Sequence, residues 1–164
     1  MNNLVIAYTL DKTSLFKFQT LFTNALAAGI LVRFISGKRN YAKQWELRKA
    51  YLMDPKHNNI AAPVGLSWHN YGMAVDLIPV DEAGNDNQNY TLLSQLGKIA
   101  NKIGLIWGGD FKDYNHFEDS AGKNIYDFRK SQYGWQQYQK LEDNLKANTQ
   151  DTEKKKELIL QEII

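Results

Sequence analysis

His69 and Asp76 stand seven residues apart in Ser67-Trp68-His69-Asn70-Tyr71-Gly72-Met73-Ala74-Val75-Asp76-Leu77. An imidazole nitrogen and a carboxylate oxygen are both zinc-type ligands. A turn at Gly72, followed by a strand, folds His69 back beside Asp76, because glycine enters left-handed backbone without a steric cost. Asp76 is flanked by Ala74, Val75, Leu77 and Ile78. A carboxylate in so apolar a run needs a partner to offset its burial, and a metal ion supplies one. A catalytic zinc keeps one position for water and so calls for a third protein ligand. His116, in Asp113-Tyr114-Asn115-His116-Phe117-Glu118, is the candidate. The remaining histidine, His57, sits in a proline-containing loop and reads as a surface residue.

Such a centre suits hydrolysis of a carbonyl compound, which also needs a group to carry a proton from water to the leaving atom. Asp113, three residues before His116, is the first choice. Glu118 shares a strand face with His116 and is the rival, with Asp110 third. Arg39, at the tip of the Ser36–Asn40 turn, is the candidate contact for a developing oxyanion or for a substrate carboxylate. Gly108-Gly109 lacks the longer glycine pattern and the lysine of a phosphate loop. The acidic stretch from Asp81 to Asp86 reads as a solvated loop rather than a calcium site.

The elements that must position these residues follow from periodicity. Leu15, Phe18, Leu21, Phe22, Ala25 and Leu26 recur at helical spacing, with Thr13 or Ser14 to cap the start and Gly29 to end it. Residues 30–35 form a β-branched apolar run and predict a strand. A helix is expected over 41–51, a loop over 54–66 and a strand over 73–80. Residues 81–89 read as a polar loop. A helix over 90–103 carries Leu92, Leu93, Leu96, Ile99, Ala100 and Ile103 on one face and stops at Gly104. Short strands are expected at 105–107 and 115–118. Helices mixed with short strands, without βαβ alternation, predict an α+β domain. The aromatics between 126 and 138 are expected to cover the core. We place a domain over residues 1–138 and a charged, helical tail over 139–164, whose apolar end suits a partner contact or docking back on the domain.

The chain has 164 residues, a size for one domain with its own core. Lysine plus arginine total 20 and aspartate plus glutamate 18, a net charge of +2, which does not predict a nucleic-acid partner. Cysteine is absent, so disulfides, thiolate catalysis and cysteine-ligated zinc are excluded. The apolar stretch Leu4–Leu10 is short and has no basic lead, so no secretory signal is expected, and no run is long enough for a membrane span.

Ser67-x-His69-x-x-Gly72-x-Ala74-x-Asp76 resembles the zinc signature of the D-alanyl-D-alanine carboxypeptidase and L-alanyl-D-glutamate endopeptidase family. Trp107-Gly108-Gly109-Asp110-Phe111, the Asp113-x-x-His116-Phe117-Glu118 run, and Ser36-Gly37-x-Arg39 with Gln44 are similar too. The likeness spans roughly residues 12–118, with Lys38 where the family usually has an aromatic. It implies a hedgehog-type α+β fold, a small antiparallel sheet with flanking helices, here with a C-terminal helical extension. It implies Zn2+ on His69, Asp76 and His116, with Asp113 as base and acid. It places Arg39, Gln44 and Ser67 at the substrate. The implied activity is hydrolysis of peptidoglycan stem peptides, at the L-alanyl–D-glutamate bond as in the phage endolysin branch, on a cell wall reached by a lysis or secretion machinery. D-alanyl-D-alanine carboxypeptidase action and a non-catalytic zinc module are the alternatives.

Overall fold

A computed structural model of the chain describes residues 10–162, with side chains as far as Asp151. The stretch Leu4–Leu10, apart from Leu10 itself, lies outside the described residues. Of the apolar run at 158–164 only the backbone up to Glu162 is described.

Helix α1 spans Lys12–Ala27. Its cap is Asp11, not Thr13 or Ser14: the Asp11 carboxylate accepts from the backbone N–H groups of both. Two otherwise orphaned donors of the first turn are thereby satisfied. Phe18, Leu21 and Ala25 are buried, while Leu26 is 63% exposed. The residue after Ala25 rotates about 100° off the apolar stripe, so Leu26 leaves the core face.

Strands β1 (Val32–Ser36), β2 (Ala74–Pro79), β3 (Ile106–Trp107) and β4 (His116–Glu118) form one antiparallel sheet in the order β1-β2-β4-β3. Side chains alternate between its faces. Val75, Leu77 and Phe117 turn toward α1 and toward helix α3 (Tyr90–Lys102), which contributes Leu93, Leu96 and Ala100 to the same core. Phe117 is fully buried. A side chain of this kind contributes about 1.5–3 kcal/mol by leaving water. The opposite face carries Asp76 and His116, which are register partners on adjacent strands. A register shift between Phe34 and Ser36 brings Ser36 opposite Asp76 at the other edge.

Helix α2 (Tyr41–Met53) differs from its sequence reading. Trp45, Leu47, Ala50 and Tyr51 are only half-buried, and Gln44 is its single buried residue. What covers this helix comes from the C-terminal part of the chain. Helix α4 (Ile125–Lys130) and helix α5 (Gln136–Glu162) follow the sheet. Tyr138 of α5 sets its ring against Tyr41 and Trp45. Glu142, 2% exposed, accepts from Arg48 of α2 at 2.8 Å. Residue 139 therefore falls inside a continuous helix whose first turns dock on α2. Of the aromatics at 126–138, Phe128 packs on Trp68 and Tyr71, and Arg129 lies 3.6 Å over the Trp135 ring. Tyr126 and Tyr133 instead face solvent.

Candidate metal centre

His69 lies in a single-turn 3-10 helix, Trp68–Tyr71, that ends at Gly72 with φ +74°. That left-handed residue reverses the chain into β2, which delivers Asp76. His116 enters from β4. His69 Nε2 lies 3.1 Å from Asp76 Oδ1 and 3.1 Å from His116 Nδ1, and His116 Nδ1 lies 3.3 Å from Asp76 Oδ1. His69 and His116 are buried, and Asp76 is nearly so. Among the described residues this is the one group of three histidines or carboxylates placed to hold a metal ion.

The outer nitrogens of both rings show which atoms face inward. His69 Nδ1 lies 2.7 Å from the Gly37 carbonyl oxygen. A carbonyl only accepts, so Nδ1 carries the hydrogen and Nε2 of the neutral ring presents a lone pair. His116 Nε2 lies 2.8 Å from Glu118 Oε2, so its Nδ1 presents a lone pair in the same way. Three acceptors therefore converge with no donor between them, which only a shared cation can reconcile. In the metal-free protein a proton takes that place. Burial alone would lower the His116 pKa, but Asp76 and Glu118 on either side push it up to about 9. Burial alone would raise the Asp76 carboxyl, but the neighbouring His116 and His69 rings, with the Arg39 charge, hold it well below the usual carboxylate range. The residues fit a metal: two oriented imidazoles and a carboxylate, each ring steadied from behind by an acceptor.

Around these three the structure distributes the other expected residues. Arg39 donates to Asp76 Oδ2, the oxygen turned away from the histidines, and its Nε donates to Ser36 Oγ at 2.8 Å. Its guanidinium thus first serves the ligand. Glu118, the rival base, has its Oε2 2.8 Å from His116 Nε2 and is engaged there. Asp113 makes no side-chain hydrogen bond or ion pair among the described residues. Its loop turns tightly: Asp113 N–H donates to the Gly108 carbonyl at 2.9 Å, and the His116 N–H to the Asp113 carbonyl at 3.1 Å. A Cβ on Gly108 would stand 2.3 Å from the Asp113 carbonyl oxygen, so this approach requires glycine. Asp113 is an exposed residue, yet its carboxyl is raised, first by the neighbouring protein displacing water and then by the Asp76 charge, against the opposing pull of His116. A carboxylate with a raised pKa is a better proton acceptor near neutral pH.

Ser67 is half-buried at the start of the 3-10 helix, and its hydroxyl caps nothing. Gln44 is placed differently from its expected substrate role. It is 1% exposed, and its Nε2 donates to the Ala62 carbonyl at 2.9 Å. It ties down the loop that leads into Ser67 and has no face toward a substrate. Asp110 is exposed in the 3-10 turn Gly108–Phe111. His57 is exposed and pairs with Asp54. Asp81 is engaged by Asn85, and Asp86 by Arg33.

The sequence reading assigned no role to two supports of the site. Asn70 accepts from Gly65 N–H and donates to the Arg39 carbonyl, stitching loop, turn and 3-10 helix together. Its place beside His69 was the available signal. The Gly37 carbonyl that orients His69 is a backbone atom, so the Ser36-Gly37-x-Arg39 run does not announce that role.

The sequence profile described as D-alanyl-D-alanine carboxypeptidase matches residues 61–119, the span that holds all three candidate ligands and Asp113. The chain is 36% identical over 105 residues to the peptidoglycan L-alanyl-D-glutamate endopeptidase CwlK of Bacillus subtilis (strain 168). That match covers 55% of this chain and 61% of the relative, so the chain spans well under the relative's full length. Among solved structures, the L-Ala D-Glu endopeptidase ChiX of Serratia marcescens superposes with a TM-score of 0.53 at 17% identity, covering 75% of this chain and 86% of that one. A mutant of the vancomycin resistance D,D-pentapeptidase VanY, solved in complex with Zn(II), superposes with a TM-score of 0.56 at 19% identity, covering 79% and 83%. At these identities the two structures establish the fold: an α+β domain of the kind seen in cell-wall peptidases.

Proposed function

We propose that this chain, whose residues 61–119 match the D-alanyl-D-alanine carboxypeptidase profile, is a zinc-dependent hydrolase of peptidoglycan stem peptides. The observation that carries the reading is the convergence of His69 Nε2, Asp76 Oδ1 and His116 Nδ1, each ring oriented from behind, beside the unengaged carboxylate of Asp113. Two nitrogens and one oxygen form a donor set suited to zinc, which leaves a position for a non-protein ligand. Zinc held there supplies Lewis acidity toward a scissile carbonyl and lowers the pKa of water.

The chain's own residues do the rest. Asp113 takes a proton from the attacking water at its carboxylate and returns it to the departing amine. Glu118 and the Gly37 carbonyl keep the imidazoles in the tautomers that leave their inner nitrogens free. Arg39 balances the charge of Asp76, and its remaining N–H groups are donors for negative charge developing on the substrate. The hydroxyl of Ser67, which precedes the 3-10 helix that carries His69, is a substrate contact.

The L-alanyl–D-glutamate bond is the favoured target, supported by the 36% identity to an enzyme named for it. No described helix is long and apolar enough to cross a membrane, and action on the wall after release or export fits the reading.

The test is mass spectrometry of purified peptidoglycan incubated with the zinc-loaded protein, with and without a chelator. Chelator-sensitive fragments with a new N-terminal D-glutamate are expected. Loss of a terminal D-alanine alone would move the activity to the carboxypeptidase alternative. Intact substrate in the presence of bound zinc would overturn the enzymatic reading.

A further inference from the structure

Phe111 closes the 3-10 turn Gly108–Phe111 and is 53% exposed. An exposed aromatic ring is ordinary on a protein surface, and Tyr126 and Tyr133 are further examples. The surroundings of Phe111 set it apart. Its ring centre lies 6.0 Å from that of His116, whose imidazole is almost closed off from water. A Cβ built on Gly108 would stand 3.0 Å from Phe111 Cε2 and 2.9 Å from His116 Cβ, so the phenyl edge and the candidate ligand meet over bare backbone. One part of Phe111 is packed against the centre while more than half of it stays open.

The backbone holds this placement in an unusual conformation. Lys112 has φ +67°, in the left-handed region that a residue with a side chain rarely adopts. Its N–H donates to the Gly109 carbonyl at 3.3 Å, and the next N–H, of Asp113, donates to Gly108. The reversal at Lys112 puts Phe111 and Asp113 on one tight turn beside His116. The Asp113 carboxyl feels the charges of His116 and Asp76, so phenyl ring and carboxyl both border the centre. Residues held in such sparsely populated conformations cluster at functional sites.

We infer that Phe111 is the specificity wall for the residue on the carbonyl side of the scissile bond, where it takes a small apolar side chain, the alanyl methyl. This rests on the hydrolysis proposed above. The side chain of that residue branches from the carbon bonded to the scissile carbonyl, about 1.5 Å away, so it stays in the neighbourhood of His116. The residue on the amine side of the proposed bond is a glutamate and carries a carboxylate. The face of an aromatic ring is the negative side of its quadrupole, which favours a methyl group and repels an anion.

The test compares N-acetyl-L-alanyl-D-glutamate with its N-acetylglycyl counterpart as substrates of the full, zinc-loaded chain. The parent should favour the alanyl compound about tenfold in kcat/KM, the discrimination that one methyl group gives in an apolar subsite. Phe111→Ala should bring that ratio to within about twofold of unity by raising KM for the alanyl substrate, with bound zinc and turnover of the glycyl substrate unchanged. Phe111→Leu restores an apolar wall and should recover most of the preference. An equal loss for the two substrates, or a fall in metal content, would make the ring a cover for His116 and overturn the subsite, as would a preference that survives Phe111→Ala. Calorimetry with zinc-loaded Asp113→Asn protein reads the same preference without turnover. The alanyl compound should bind it more tightly than the glycyl one, and adding Phe111→Ala should abolish the difference. Absent hydrolysis with that difference intact leaves the subsite standing and overturns only the enzymatic reading, whereas hydrolysis without the difference overturns the subsite alone.

Discussion

Among the described residues, the charged cluster that joins α2 to α5 and the one on β2 and β4 are built on opposite rules. In the cluster joining α2 to α5, Arg48 donates to Glu142 and to the Ala61 carbonyl, and Lys146 also reaches Glu142 at 2.7 Å. Cations face an anion, and the group is complete as it stands. At the head of β2 and β4, three acceptor atoms face one another at 3.1–3.3 Å, and their charge-balancing partners Arg39 and Glu118 stand behind them. The first arrangement holds two parts of the chain together. The second is incomplete without a cation, and that separates a site from a strut where burial and charge alone do not.

The largest effect should come from emptying the second cluster. His116→Ala is expected to reduce bound metal to background and peptidoglycan hydrolysis by about a thousandfold or more, read by elemental analysis and fragment release. Retained metal with full activity would break the distinction between the clusters. Asp113→Asn should leave metal content intact and lower kcat by about 10²–10⁴-fold, the usual range for a proton-transfer group. A joint loss of metal and rate would make Asp113 a support rather than the base.

Glu142→Ala should act on stability alone. It strands the Arg48 charge, 13% exposed, and should cost roughly 3–5 kcal/mol, with hydrolysis per folded molecule unchanged. The effect has a definite pH sign. Burial alone would raise the Glu142 carboxyl, but Arg48 and Lys146 outweigh it and lower its pKa. A lowered folded pKa gives stability that is present above the ordinary carboxylate value and lost as pH falls through the folded one. Urea midpoints of parent and variant should therefore differ at pH 7 and converge as the medium is acidified below about pH 4.

Glu118→Gln should be milder, since an amide still accepts from the ring: metal affinity falls about 10–100-fold while Asp113-dependent turnover persists at saturating zinc. The smallest signal is a proton count. His116, at about 9 in the metal-free protein, is protonated at pH 7.5, so metal uptake should release about one proton. Calorimetry in buffers of different ionisation enthalpy measures this, and no release would mean that the inner nitrogen is already free.

The two clusters also differ in how far the sequence announced them. His69, Asp76 and Asp113 to Glu118 lie in short runs whose spacing reports local geometry: a glycine turn, then strands with period two. The α1 and α3 stripes were legible for the same reason, since each buries one face against the sheet. Arg48 and Glu142 are 94 residues apart and carry no local pattern, so the docking of α5 across the expected boundary at 139 could not be read. Gln44 illustrates the same limit within the site, where its motif position suggested a substrate contact and its burial gives it a loop to hold.

By itself the sequence determined the donor types, their order along the chain and the strands that carry them, because these depend on contacts within a few residues. Tertiary structure alone decided which nitrogen of each histidine faces inward and that Arg39 of the turn after β1 donates to Asp76. Apart from the Glu118–His116 contact, which lies within β4, each of those depends on a partner contributed by another element. Hydrogen-bond direction and charge balance are settled only when the chain has closed on itself.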